Sequence, residues 1–119
     1  MMRLIGFVAY QYERRTKALS SRWIACPVES AQRIEIPAQA RRIEIDPHLP
    51  QGAVRYDLRI VNAQGLALTS RKDFLDMSKQ RRTLALELPA ASAALEATCS
   101  LMTPIAGLAS WPVEIRFFH

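Results

Sequence analysis

A strict alternation of side-chain type between residues 54 and 60 constrains the fold of this chain more than any other feature. Apolar and charged side chains alternate there in the order Val54, Arg55, Tyr56, Asp57, Leu58, Arg59 and Ile60. Because successive side chains of a strand point to opposite faces, this pattern predicts a strand with one buried and one solvated face. Residues 62–65 then predict a turn with Gly65 in the left-handed region, which would set Ile60 opposite Leu68. We therefore expect a β-hairpin over residues 53–70.

A repeated tetrapeptide suggests a second hairpin. Residues 33–36 and residues 42–45 both read arginine, isoleucine, glutamate, isoleucine. Opposite charges that face each other across two strands stabilise by roughly 0.2–1 kcal/mol, and like charges destabilise. The register that sets Ile34 opposite Ile43 also sets Glu35 opposite Arg42, so we expect the two segments to pair in that register.

The rest of the chain predicts more strands and little helix. Alternation indicates strands at residues 84–88, 95–101 and 113–117, and the apolar run 4–10 indicates one near the N-terminus. Ser70, with Asp73 three residues later, predicts a capped helical turn that reaches Met77. Between residues 90 and 97 the alanines favour helix whereas the alternation favours strand.

This set of elements predicts a fold class. Short strands, with proline and glycine in the connections and no regular alternation with helices, are typical of antiparallel all-β domains. We expect one domain over residues 1–119, an antiparallel β-sandwich of seven to eight strands with at most one short helix. A small β-barrel is the alternative.

Charge and cysteine content suggest a partner class and a compartment. Sixteen lysines and arginines against eleven acidic residues give a formal net charge of +5, which favours acidic partners without requiring one. The N-terminal apolar run is too short to span a membrane and lacks a clear cleavage site. We expect a cytoplasmic protein, no membrane association, and buried free thiols at Cys26 and Cys99, a single disulfide being the alternative for an exported chain.

No catalytic or cofactor motif is found in the sequence. The four glycines are too far apart to form a phosphate-binding loop or a dinucleotide turn, and no serine occupies a nucleophile elbow. Asp46 and His48 flank Pro47 and could bind a metal, but we interpret them as a solvated turn. Cys26 is interpreted as a structural thiol. The expectation is a protein without enzymatic activity, cofactor or metal.

The terminal strands suggest an interaction surface because both of their faces are apolar. A strand in a two-layer sandwich needs only one apolar face, so the second must be covered by residues 66–82, by residues 102–110 or by another chain. The leading hypothesis is an interaction or assembly module that docks a protein partner or a second copy through a terminal strand and an arginine-rich face. The predicted interface residues are Ile5, Phe7, Trp111 and Phe118.

The alternative function is that of a nucleic-acid-binding accessory domain. Aromatic rings could stack on bases and cations could hold phosphates over a stretch that includes Tyr10, Tyr12, Arg14, Arg15, Lys17 and Arg22. Convergence of the basic side chains beside Tyr10, Tyr12 and Trp23 would distinguish this function. A strand end followed by a charged turn explains the same residues. The sequence resembles no family that we recognise.

Overall fold

The computed structural model describes residues 14, 17–26, 28–48, 52–76, 83–102, 105–107 and 109–119. These residues form eight strands, which are β1 (Ser20–Cys26), β2 (Val28–Glu35), β3 (Arg42–Pro47), β4 (Ala53–Val61), β5 (Ala67–Asp76), β6 (Leu84–Glu87), β7 (Ala94–Leu101) and β8 (Trp111–Phe118). Sheet A has the order β1-β8-β3-β6 and sheet B the order β2-β7-β4-β5. All pairings are antiparallel. Because the sheets do not close on themselves, the β-sandwich prediction is confirmed and the barrel alternative is wrong.

The predicted alternation supplies the core between the two sheets. All four apolar side chains of β4 from Val54 to Ile60 are buried, as is the β8 row from Trp111 to Phe117. The register sets Ile43 and Ile45 of β3 opposite Phe117 and Ile115 of β8. Alternation along each strand therefore directs one row of apolar side chains from each sheet into a shared interior.

The β4–β5 hairpin is confirmed, but its register differs from the prediction by one residue. Gly65 has a φ of +82° as predicted, and the Asn62 Oδ1 atom accepts the backbone N–H groups of Gln64 and Leu66, each at 3.0 Å. Ile60 lies opposite Thr69, while the adjacent pair joins Val61 to Ala67. The register thus skips residue 68 at a bulge, an irregularity that alternation alone does not reveal.

The predicted helical turn after Ser70 is wrong. Residues 67–76 continue as β5 and pair with β4 along nearly its whole length. The conformational entropy lost in forming a single helical turn outweighs the stabilisation from its few hydrogen bonds. A long neighbouring strand, by contrast, offers backbone hydrogen bonds at every second residue. Met77 lies outside the described residues.

The predicted pairing of the two tetrapeptides is also wrong, because β2 belongs to sheet B and β3 to sheet A. Charge complementarity is nevertheless met with other strands. Arg33 lies opposite Glu96 of β7, and Arg42 lies opposite Glu87 of β6, with Nη1 and Oε1 3.8 Å apart. A rule about opposite charges cannot choose among several strands that satisfy it equally.

A disulfide joins Cys26 at the end of β1 to Cys99 on β7, so the prediction of free thiols is wrong. The two Cα atoms are 6.1 Å apart, inside the range that a disulfide spans, and both residues are buried. The bond therefore connects sheet A to sheet B.

Two further differences concern strand content. β1 was not predicted, because its exposed sheet-edge residues lack a clear apolar alternation. The strand predicted at residues 4–10 lies outside the described residues. The ambiguous stretch from residue 90 becomes strand from Ala94 onward.

Within the described part of the chain, no helix is long and apolar enough to cross a membrane.

Candidate functional site

One side of the sandwich is incompletely covered because its two outermost strands differ in length. On that side β5 has ten residues and β6 has four. At about 3.3 Å per residue, β5 is about 33 Å long and β6 only about 13 Å. The opposite side is closed where β1 and β2 follow each other in sequence and the disulfide joins β1 to β7. Part of β5 therefore lies beyond the cover that sheet A provides.

The exposure of β5 shows where this cover ends. Every residue from Leu66 to Lys72 is exposed, on both faces of the strand. Leu66 is 65% exposed and Leu68 is 37% exposed, two of only four large apolar side chains with high exposure among the described residues. Among the residues that the structure describes, sheet B pairs β5 with β4 alone. We call residues 66–72, which are Leu66 and the first six residues of β5, the open edge.

A cavity of about 130 Å³ lies beside the open edge, between the two sheets. Leu58, Ile60 and Leu86 form its apolar wall, and its remaining lining residues are Thr69, Arg71 and Glu87. A cavity of about 150 Å³ accepts benzene, so this volume is sufficient for one aliphatic side chain. The open edge thus combines an exposed strand with an adjacent apolar recess.

The charges of the open edge are mainly basic. Arg71 and Lys72 are consecutive, so they point to opposite faces of β5. The Arg71 Nη2 atom lies 2.7 Å from the Asp73 carboxylate, and Lys72 lies opposite Asp57 of β4. Charged side chains on an edge strand hinder non-specific pairing with strands of other proteins. A strand of complementary charge can still pair with such an edge.

A second feature is a group of buried charges on the face of sheet A that points away from sheet B. Glu44 is 3% exposed, and Asp46, Glu114 and Arg116 are fully buried. The Arg116 Nη1 atom donates to Glu114 Oε1 at 2.9 Å and to Asp46 Oδ2 at 3.2 Å. Its Nη2 atom is 3.5 Å from Glu44 Oε1. We call these four residues the charge cluster.

Asp46 and Glu114 of the charge cluster, together with the neighbouring His48, offer ligand atoms of the kind that bind divalent cations. Ligand atoms of Asp46, His48 and Glu114 lie within 4.8 Å of one another. The guanidinium of Arg116, however, bridges the same two carboxylates, and a cation between them would meet that positive charge. The arrangement is therefore that of a buried ion-pair network. The prediction of a solvated turn is wrong for Asp46, which is buried at the end of β3.

Phe118, on the outer face of β8, is covered partly by a residue that precedes β1. Arg14 places its guanidinium carbon 4.4 Å from the Phe118 ring centroid, and its Nη2 atom lies 2.7 Å from Glu44 Oε2. Phe118 is 8% exposed and Trp111 is 4% exposed. Both side chains thus belong to the interior of this chain, so the docking surface predicted from them is not a free surface. Ile5 and Phe7 lie outside the described residues.

The arginines do not form one face. Exposed arginines occur on five strands, and those with an acidic partner within 4.0 Å include Arg33, Arg42, Arg59 and Arg71. Arg59 of β4 pairs with Glu96 of β7 at 3.0 Å across the outer face of sheet B. These pairs form solvent-facing ladders of mixed charge.

The residues predicted to contact nucleic acid converge only in part. Tyr10, Tyr12 and Arg15 lie outside the described residues. Lys17 and Arg22 are exposed, whereas Arg14 binds Glu44. Trp23 is half-exposed, but its ring centroid lies 4.8 Å from that of His48 with the two rings tilted by 45°, and Trp23 lies opposite Glu114. The described surroundings of Trp23 thus include buried carboxylates and are unfavourable for a phosphate.

Tyr56 is the buried titratable group with the clearest perturbation. It is 1% exposed, and burial, with a smaller contribution from the Asp46 carboxylate, raises the pKa of Tyr56 well above its ordinary value. Its hydroxyl has no hydrogen-bond partner among the described residues. The phenol is therefore a neutral core group, unsuited to proton transfer near pH 7.

Sequence reasoning missed the open edge and the charge cluster. The signal for the open edge is that Thr69, Arg71 and Asp73, which are polar, lie opposite the apolar residues Ile60, Leu58 and Tyr56 of β4. Polar residues at core-facing positions indicate a strand that the other sheet does not cover. The charge cluster has no comparable local signal, because Asp46 and Arg116 are 70 residues apart.

Comparison with known proteins adds no functional assignment. No family model matches the chain, and no curated protein matches its sequence.

Proposed function

We propose that this chain is a non-enzymatic protein interaction module that binds its partner through the open edge. The observation that carries the proposal is the exposure of every residue from Leu66 to Lys72 along an outermost strand. An exposed strand edge presents unpaired backbone N–H and C=O groups, which a partner can complete. This proposal keeps the interaction class expected from the sequence and moves the docking surface from the terminal strand to β5.

The chemistry of the described residues supports a binding role over catalysis. The cysteines are bonded to each other, and Arg116 bridges the buried carboxylates. The phenol of Tyr56 remains neutral. An enzyme needs a group that can donate, accept or attack beside a substrate, whereas the open edge offers backbone, apolar surface and charge. The proposed partner is a protein, with no cofactor.

The disulfide changes the compartment that we propose. A cytoplasmic location was expected from the sequence together with free thiols. Disulfides form and persist mainly in oxidising compartments, and the Cys26–Cys99 bond is buried between the two sheets. We therefore propose that the protein matures in an oxidising compartment.

Site-specific photocrosslinking in the producing cell tests the interaction role. A photoreactive phenylalanine analogue would replace Leu68 on the open edge or, as the control, Met102, another exposed apolar residue. We expect a covalent adduct of defined mass from position 68 and none from position 102. Adducts of equal yield at both positions, or none at position 68, would contradict the proposal.

The alternative function, nucleic-acid binding, predicts a different solution behaviour. Binding to phosphates weakens steeply with salt, and it would involve Lys17 and Arg22, the exposed basic residues of that stretch that the structure describes. Light scattering with a mixed nucleic-acid pool at 0.15 M and 1 M salt separates the two functions. A mass increase that requires nucleic acid and disappears at high salt would favour the alternative.

A further inference from the structure

We infer that the open edge binds an extended acidic segment of the partner protein, which adds as a fifth strand to sheet B. This inference rests on the proposed function and deepens it by naming the chemistry of the partner. Three features of the described residues carry it, namely the free backbone edge, the charge of that edge and the apolar recess beside it.

The backbone of the open edge provides the first argument. β5 forms its ladder with β4 on one side, and residues 66–72 are exposed. In an antiparallel ladder each strand directs the N–H and C=O groups of alternate residues to one side. About half of the backbone groups of the open edge therefore point toward solvent, spaced to receive another extended chain.

Charge selects the kind of chain that can bind. The open edge contributes Arg71 and Lys72, and the whole protein has a net charge of +5. A second copy of this chain would bring the same cations to the same edge, whereas an acidic segment would place carboxylates beside Lys72 on the outer face of the sheet. Arg71 points to the recess face, where it pairs with Asp73, and it adds to the positive potential of the edge.

The cavity provides a position for an apolar side chain of the partner. Its wall is formed by Leu58, Ile60 and Leu86, and Thr69 and Arg71 of the edge strand also line it. An added strand directs alternate side chains toward this recess and the others toward solvent. The best-fitting segment therefore alternates acidic and aliphatic residues.

Fluorescence anisotropy with three labelled octapeptides tests this inference. The first alternates glutamate and valine, the second replaces glutamate by lysine, and the third is the first peptide with alternate backbone nitrogens methylated. Each is titrated with the wild-type protein and with two doubly substituted variants, Arg71→Glu with Lys72→Glu on the open edge and Arg55→Glu with Arg59→Glu on β4. Both variants change the net charge by the same amount. Each replaces one arginine that is ion-paired in the wild type, Arg71 with Asp73 in the first variant and Arg59 with Glu96 in the second. Urea unfolding confirms that both are folded.

The expected result is binding of the acidic peptide to the wild type and to the β4 variant, with at least about tenfold weaker binding to the open-edge variant. The lysine peptide and the methylated peptide should bind at least about tenfold more weakly than the acidic peptide, because one has the wrong charge and the other cannot complete the ladder.

Three results would overturn the inference. Equal weakening in both variants would mean that net charge alone attracts the peptide. Undiminished binding of the methylated peptide would exclude strand addition. Failure of the acidic peptide to bind the wild type would exclude the acidic partner, and the crosslinking experiment at Leu68 then decides separately whether the open edge binds any protein.

Discussion

Removal of the Cys26–Cys99 disulfide should lower the free energy of unfolding by about 4.4 kcal/mol. The bond closes a loop with a sequence separation of 73 residues. In the chain-entropy description, a cross-link that closes such a loop reduces the entropy of the unfolded chain by about 15 cal/mol/K, or about 4.4 kcal/mol at 298 K. This is a large part of the ~5–15 kcal/mol that stabilises a domain of this size.

The measurement is urea unfolding of the oxidised protein, the reduced protein and the Cys26→Ala, Cys99→Ala double variant. With a slope of ~2 kcal/mol per M urea, the reduced protein should unfold at a midpoint roughly 2 M lower than the oxidised protein. The double variant should also lose stability because it removes two buried sulfur atoms. Reductant should leave the midpoint of this variant unchanged, which serves as the control.

Two results would refute this reasoning. If an alkylating reagent labels both cysteines in unfolded, unreduced protein, the disulfide does not form. If the oxidised and reduced proteins share one midpoint, closing this loop does not stabilise the sandwich.

Substitutions at three further positions test the interior and the hairpin by urea unfolding. Arg116→Met should destabilise by about 3–5 kcal/mol, because it leaves the buried carboxylates of the charge cluster without their shared cation, and Arg116→Lys should cost less; equal losses would contradict this account. Tyr56→Phe should raise stability at pH 7 by about 1 kcal/mol by removing an unsatisfied buried hydroxyl. Folding raises the pKa of Tyr56, so the stability that depends on its protonated phenol is complete below the unfolded-state pKa of about 10 and is lost as pH rises above that value. The wild type should therefore lose more stability than Tyr56→Phe between about pH 9 and pH 11. Parallel losses in the two proteins would count against a buried phenol. Gly65→Ala should cost about 1 kcal/mol because of the φ of +82° alone, since no atom of the described residues lies within 4 Å of the added carbon, and Gly65→Asn should cost less. An unchanged midpoint for Gly65→Ala would rule out a backbone requirement there.

Local patterns in the sequence were sufficient to predict the fold class and most strands. The alternation from Val54 to Ile60 predicted both the strand and its buried face, and the glycine at position 65 predicted the left-handed turn residue. These features depend on neighbouring residues, whose geometry the backbone of a strand or a turn imposes directly.

The choice of partner for each strand was decided by the tertiary structure. The identical tetrapeptides at residues 33–36 and 42–45 can satisfy their charges with many strands, and they pair with different ones in different sheets. The interaction class proposed from the sequence remains a proposal. Its surface changed because Trp111 and Phe118 are buried by their own chain, while the open edge became visible only from the unequal lengths of β5 and β6.

The sequence by itself therefore determined where the chain is extended, where one hairpin turns and which side chains of a strand share a face, because these properties depend on residues a few positions apart. The tertiary structure alone decided that Cys26 meets Cys99, that Arg116 meets Asp46 across 70 residues, and that β5 extends past its cover. Each of these contacts is one choice among several of similar local energy. Only the simultaneous packing of all eight strands selects among them.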